Sequence, residues 1–205
     1  MRFIGDIHGK YKRYTAIVKE CDASIQVGDF GMGFSPKHPW DYKTDKSFYS
    51  NHRFIRGNHD SPSHCARTPW WIPDGTVEDS MMFIGGALSI DAASRQEGVS
   101  WWRDEELSIE AFNRLIDKYE QIKPDIMVSH EAPEYIIKDT MSWYGKMELP
   151  SRTRQALQTM WEIHSPKLWV FGHWHFSVDS VINGCRFRCL NELEYEDIDL
   201  AQYRS

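Results

Sequence analysis

The chain predicts an α/β fold. Short β-type runs alternate with helical stripes, five of the runs close on polar residues, and a hairpin with an Asn-Gly turn follows the last of them. The first strand starts at Arg2, passes Phe3 and Ile4 and breaks at Gly5. Asp6 and His8, two apart on extended backbone, then face the same way, and Gly9 frees the chain to turn. Tyr11, Tyr14, Ile17 and Val18 form a helical stripe, and SIQVGD, HRFIRGN and MMFIGGALSI read as the next strands. Phe112, Leu115, Ile116 and Tyr119 recur at i, i+3, i+4, i+7, in a helix that stops before Pro124. DIMVSH is a strand. Leu157, Met160, Trp161 and His164 repeat the helical spacing before Pro166, and LWVFGH is the strand after them. VDSVINGCRFRCLNE folds back at Asn183-Gly184, with Cys185, Phe187 and Cys189 on an apolar face and Arg186 and Arg188 on the other. Residues 31–51 and 132–150 show no periodicity and read as loops long enough to carry function. The acidic tail from Glu192 reads as a solvated end.

At 205 residues one domain spanning 1–205 is expected, with 41% hydrophobic and 14% aromatic residues to fill its core. A net charge of −6 argues against a general binder of duplex nucleic acid or of anionic membranes, which need clustered Lys and Arg. No apolar run approaches the roughly 18 residues of a membrane span, and the first residues lack a signal-peptide pattern. Cys21, Cys65, Cys185 and Cys189 include no CxxC and are expected to be reduced and mostly buried, in a cytoplasmic protein.

The polar strand endings are of one chemical type: GDIHG, QVGDFG, IRGNHD, MVSHEAP and VFGHWH. They deliver Asp6, His8, Asp29, Asn58, His59, His130, His173 and His175. Gly-Asp alone is a turn and Asn-His-Asp alone a cap, but five such endings after β-type runs point to one site, because function gathers at the carboxyl ends of strands. Carboxylates, imidazoles and one amide oxygen suit Mn, Fe, Zn, Co or Ni, and the absence of cysteine argues against structural zinc. Eight such side chains exceed the needs of one ion and match two, with a carboxylate such as Asp29 giving one oxygen to each.

The order D-x-H, GD, GNHD, H, GHWH, running from Asp6 to His175, resembles the calcineurin-like metallophosphoesterase superfamily. The resemblance implies a two-sheet αββα sandwich with helices outside. It implies that Asp6, His8 and His175 hold one divalent ion and Asn58, His130 and His173 the other, bridged by Asp29, with manganese the first expectation and Fe, Zn, Ni or Co the alternatives. His59 would handle a proton beside the metals, with Asp60 as its orienting partner. The implied reaction is hydrolysis of a phosphomonoester or phosphodiester by in-line attack of a metal-activated hydroxide, on a small or nucleotide substrate. The second motif reads GDFGMGF, where protein phosphatases of the superfamily carry GD-x-V-D-R-G, and the third ends GNHD where theirs ends GNHE. Both departures argue against a protein substrate.

The remaining residues are less specific. His164 is expected to pack in the core, while His38 and His52 flank the early loop, as ordinary loop residues or as contacts to a substrate. Trp70-Trp71 and Trp101-Trp102 are adjacent pairs of which one member each faces outward if extended. In GGALSIDAASRQEGVSWWRDEEL, Arg95 is a candidate contact to a phosphate oxygen, with Trp101 or Trp102 stacking on a base or an aromatic leaving group, or all three are ordinary core and surface residues. Two other functions remain open: an interaction module that kept the fold and lost catalysis, and a metal-dependent nuclease acting on short single strands.

Overall fold

A computed structural model describes residues 1–34, 50–140 and 149–204. His38 and most of the stretch 31–51 lie outside them. The strands are β1 (Arg2–Ile4), β2 (Ser24–Gln26), β3 (His52–Phe54), β4 (Val77–Glu78), β5 (Met81–Ile84), β6 (Ile126–Ser129), β7 (Leu168–Phe171), β8 (Val178–Ile182), β9 (Cys185–Cys189) and β10 (Tyr195–Asp197). The helices are α1 (Tyr11–Val18), α2 (Pro62–Cys65), α3 (Ile109–Ile122), α4 (Glu134–Thr140) and α5 (Arg152–Ile163). The strands form a four-stranded sheet in the order β10-β1-β2-β3 and a six-stranded sheet in the order β4-β5-β6-β7-β9-β8.

Three apolar layers make the sandwich, and strand alternation assigns each side chain to one of them. Phe3, Ile25, Met81, Phe83, Ile126, Val128, Leu168 and Val170 fill the space between the sheets. The alternate residues Met82, Ile84, Met127, Trp169 and Phe171 turn to α3, α4 and α5. Ile4 and Phe54 turn the other way, to Tyr11, Tyr14 and Val18 of α1. Ser108 and Ser151 cap α3 and α5, their hydroxyls accepting from the N–H of Ala111 (3.2 Å) and Arg154 (3.2 Å). The β8–β9 hairpin turns at Asn183 and Gly184, both left-handed, as an Asn-Gly turn requires.

The readings of 132–150 as a loop and of the tail as a solvated end are corrected. The stretch 132–150 contains α4, whose Ile136 and Ile137 are buried. The tail from Glu192 is not a solvated end: β10 pairs antiparallel with β1 in the register Phe3↔Glu196. His52 is buried in β3, its Nδ1 3.0 Å from Ser24 Oγ, and so faces a neighbouring strand rather than a substrate. His164 ends α5, and its Nε2 donates to the Pro124 carbonyl (3.1 Å). Cys65, Cys185 and Cys189 are buried, and Cys21 is half-buried. Among the described residues no helix is long and apolar enough to cross a membrane.

Candidate metal centre

β1, β2 and β3 are mutually parallel, as are β5, β6 and β7. Asp6 and His8 follow β1, Asp29 follows β2, Asn58 and His59 follow β3, His130 follows β6, and His173 and His175 follow β7. The glycines of the motifs have a packing reason. A Cβ at Gly57 would lie 2.7 Å from His130 Nε2 and collide with Asp29 Oδ1, and one at Gly172 would collide with Asp6 Oδ1. The backbone must be bare where side chains from neighbouring strand ends cross it. His8, Asp29, His173 and His175 all have positive φ, between 44° and 68°. Left-handed backbone at non-glycine residues costs energy and clusters where side-chain aim matters.

The side chains converge in two groups that share one member. Ligating atoms of Asp6, His8, Asp29 and His175 lie within 4.8 Å of one another, as do those of Asp29, His130 and His173. His8 Nε2 is 2.9 Å from His175 Nε2, and His175 Nε2 is 3.0 Å from Asp6 Oδ2. His130 Nε2 is 3.3 Å from Asp29 Oδ1 and 3.1 Å from Asn58 Oδ1. His130 Nδ1 donates to the Val27 carbonyl (2.8 Å), which leaves the Nε2 lone pair for the site. His173 Nδ1 is buried without a hydrogen-bond partner. Asp6 and Asp29 are buried, and among the described residues their ion-pair partners are all histidines. Buried carboxylates without Lys or Arg, imidazole nitrogens turned toward each other and an orphaned ring nitrogen fit divalent cations.

The electrostatics show the same deficit of positive charge. Burial disfavours a charged Asp29, yet His130 beside it holds its pKa well below the usual carboxylate range. Burial disfavours a charged His130 too, but Asp29 and Asp6 push it up to about 10. His175 is raised by its hydrogen bond to Asp6, and burial together with His130 lowers His173.

His59 reaches the centre through its main chain, its N–H donating to Asp29 Oδ1 (2.7 Å). Its ring lies 5.0 Å from that of His8 and stacks on Phe34 at 5.7 Å. Asp60 does not orient His59. Its carboxylate instead accepts from the N–H groups of Phe30 (3.0 Å), Gly31 (2.7 Å), Met32 (2.8 Å) and Gly57 (2.7 Å). Arg95 pairs with Asp91 (2.8 Å) and donates to His59 Nε2 (2.5 Å), lining an open cleft with Asp29, Asn58, His173 and His175. Trp101 and Trp102 do not line that cleft. Trp101 bridges back to Glu97, and Trp102 meets Phe34 edge to face at 5.0 Å.

Supporting residues escaped the sequence reading. Asn58 Nδ2 donates to Ser89 Oγ (2.9 Å), which donates to Glu105 Oε2 (2.5 Å), so the amide oxygen of Asn58 is left facing His130. No spacing in the sequence marks Ser89 or Glu105. Glu131, buried, accepts from Trp174 Nε1 (2.6 Å) and the Ala132 N–H (2.9 Å), and stands 3.8 Å from His173 Nε2. Its signal was available: an acidic residue directly after a ligand candidate at a strand end.

A family model described as calcineurin-like phosphoesterase matches residues 2–177. No curated protein matches the chain. Among solved structures, a putative 5'-nucleotidase from Staphylococcus aureus, in complex with alpha-ketoglutarate, aligns at a TM-score of 0.52 and 12% identity. The alignment covers 98% of this chain and 51% of that one. GAP50, the anchor in the inner membrane complex of Plasmodium, aligns at 0.50 and 13% identity, over 93% of this chain and 71% of that one. At these identities the two structures support the fold alone.

Proposed function

The chain belongs to the calcineurin-like phosphoesterase family, and from that premise we propose that it hydrolyses a small or nucleotide phosphate ester at a centre of two divalent ions. The observation that carries the reading is the Asp29 carboxylate, common to both groups of converging ligand atoms. Asp6, His8 and His175 would hold one ion and Asn58, His130 and His173 the other, with Asp29 between them. Bound there, the ions would supply Lewis acidity and an activated water; against the two carboxylates they leave about +2, an anion trap in an acidic protein. The Val27 carbonyl fixes the His130 tautomer, and Ser89 fixes the Asn58 amide. Arg95 trades its contact with His59 for a phosphate oxygen, which its guanidinium matches in geometry. His59 gives a proton to the departing oxygen. Leu88 and Ile90, which also line the cleft, take the organic part of the substrate.

The test combines metal analysis with an activity panel. Fully loaded protein should contain two ions per chain and hydrolyse some member of a set of phosphomonoesters, cyclic nucleotides and phosphodiesters. Asp29→Ala should lower kcat/KM at least a thousandfold and reduce metal uptake. A stoichiometry fixed at one, or full activity in Asp29→Ala, would sink the two-ion reading. An inert panel with two bound ions would favour the interaction module instead.

A further inference from the structure

We propose that Glu131 is a positioning residue for the His173 metal site, its buried carboxylate holding the Nε2 side of the imidazole so that the Nδ1 lone pair stays turned to the ion. The inference rests on the two-ion reading above. The two nitrogens of His173 have different neighbours: Nε2 is 3.8 Å from Glu131 Oε2, and Nδ1 is buried with no hydrogen-bond partner. At 3.8 Å the contact is electrostatic rather than a hydrogen bond. The carboxylate is firmly held. Its Oε1 accepts from Trp174 Nε1 (2.6 Å) and the Ala132 N–H (2.9 Å), and Arg154 Nε from α5 lies 3.6 Å from Oε2. His173 itself has left-handed backbone at φ 68°, outside any regular element, so its ring direction must be set by what surrounds it. Trp174 meets that ring edge to face at 5.4 Å and holds Glu131 with its indole N–H. His130 of the same group is backed differently, by the neutral carbonyl of Val27. A carboxylate behind an imidazole raises its donor strength, and loss of a hydrogen-bonded partner of this kind typically weakens metal affinity 10- to 100-fold, so the longer contact here should lie at the low end of that range. One dipeptide, His130-Glu131, thus serves the centre twice.

Glu131→Gln keeps the shape and an acceptor for Trp174 and removes the charge. Titration calorimetry with Mn²⁺ should show one of the two affinities lowered about 10-fold and the other changed less than about threefold. The melting temperature of the chelated variant should remain close to that of the parent. Trp174→Phe, which frees the carboxylate without touching it, should weaken the same site by a smaller factor. Both affinities unchanged, both weakened alike, or a large fall in the chelated melting temperature with metal binding intact would overturn the role. A parent protein that takes up one ion would count against the two-ion reading instead, and Glu131 would then be judged by whether that ion's affinity falls.

Discussion

His59 meets Asp29 through its backbone and the cleft through its ring, and that division makes its role separable by mutation. Burial lowers the imidazole pKa and Arg95 lowers it further, against the pull of Asp29. Since Arg95 can only donate, the His59 Nε2 it touches must accept, and the ring can take up at Nε2 the proton it later gives only once Arg95 has turned to the phosphate. Alanine at this position preserves the N–H that binds Asp29 Oδ1 and deletes only the ring. His59→Ala is therefore expected to keep its metal content while losing about 10²- to 10⁴-fold in kcat on alkyl or sugar phosphates, the usual worth of a positioned acid. On an activated aryl phosphate, whose leaving group departs without a proton, the loss should be tenfold or less. Equal losses on both substrates, measured by steady-state kinetics, would remove His59 from the proton-transfer step.

The loops at the strand ends are tied to one another by Asp60, which accepts N–H bonds from Phe30, Gly31 and Met32 after β2 and from Gly57 after β3. One buried carboxylate thereby fixes the spacing between the loop of Asp29 and the loop of Asn58. Asp60→Asn turns an acceptor oxygen into an NH₂ that faces backbone donors. It should cost ~2–4 kcal/mol of stability, with unsatisfied buried donors as the cause, and should weaken metal binding through Asp29. Urea unfolding of the chelated protein checks this, and a change below about 0.5 kcal/mol would mean that the loops hold their spacing without it. The Asp60 contacts also mark where sequence reading ends. The β-type runs were legible because alternation sorts Phe3 from Ile4 and Phe83 from Ile84 into different layers, and their polar endings were legible because only a converging site explains them. The direction of the Asp60 carboxylate depends on a left-handed turn at Asp29 that no residue pattern announces. α4 was missed because Ile136 and Ile137 are too few for a period, and the Asn58–Ser89–Glu105 chain because its members lie far apart in sequence.

At the scale of the whole molecule, the two sheets must hold a fixed angle for strand ends from both to meet at one centre. The apolar layer between them supplies most of the adhesion, but it is non-directional. Direction comes in part from Arg188 on β9, in the six-stranded sheet. It is paired with Glu194 (2.6 Å) and with Glu196 (2.5 Å) on β10, in the four-stranded one. Arg186 adds a second bond to Glu196 (2.8 Å). These contacts made β10 invisible to sequence reading: Tyr-Glu-Asp lacks an apolar face, and the strand forms because arginines and the free edge of β1 receive it. The crossing segment also bonds the first motif, with the Leu193 N–H on the Asp6 carbonyl (2.9 Å), so its loss would reach the candidate metal centre. Arg188 is nearly buried, and removing it leaves Glu194 without its arginine and Glu196 with Arg186 alone, so Arg188→Met should destabilise the fold by about 2 kcal/mol at pH 7. The dependence on pH has a definite sign. Burial opposes a charged Glu194, but the Asn191 N–H, Arg188 and Ser177 outweigh it and its pKa falls below the ordinary value. A carboxylate depressed in the folded state stabilises fully above its unfolded pKa of about 4.3 and loses that contribution as pH falls through the lower folded value. The gap between parent and Arg188→Met, followed by urea unfolding, should therefore be widest at neutral pH and close progressively below about pH 4. A gap of constant size down to pH 3 would show that Arg188 acts through the packing of its stem and not through the charges that join the sheets.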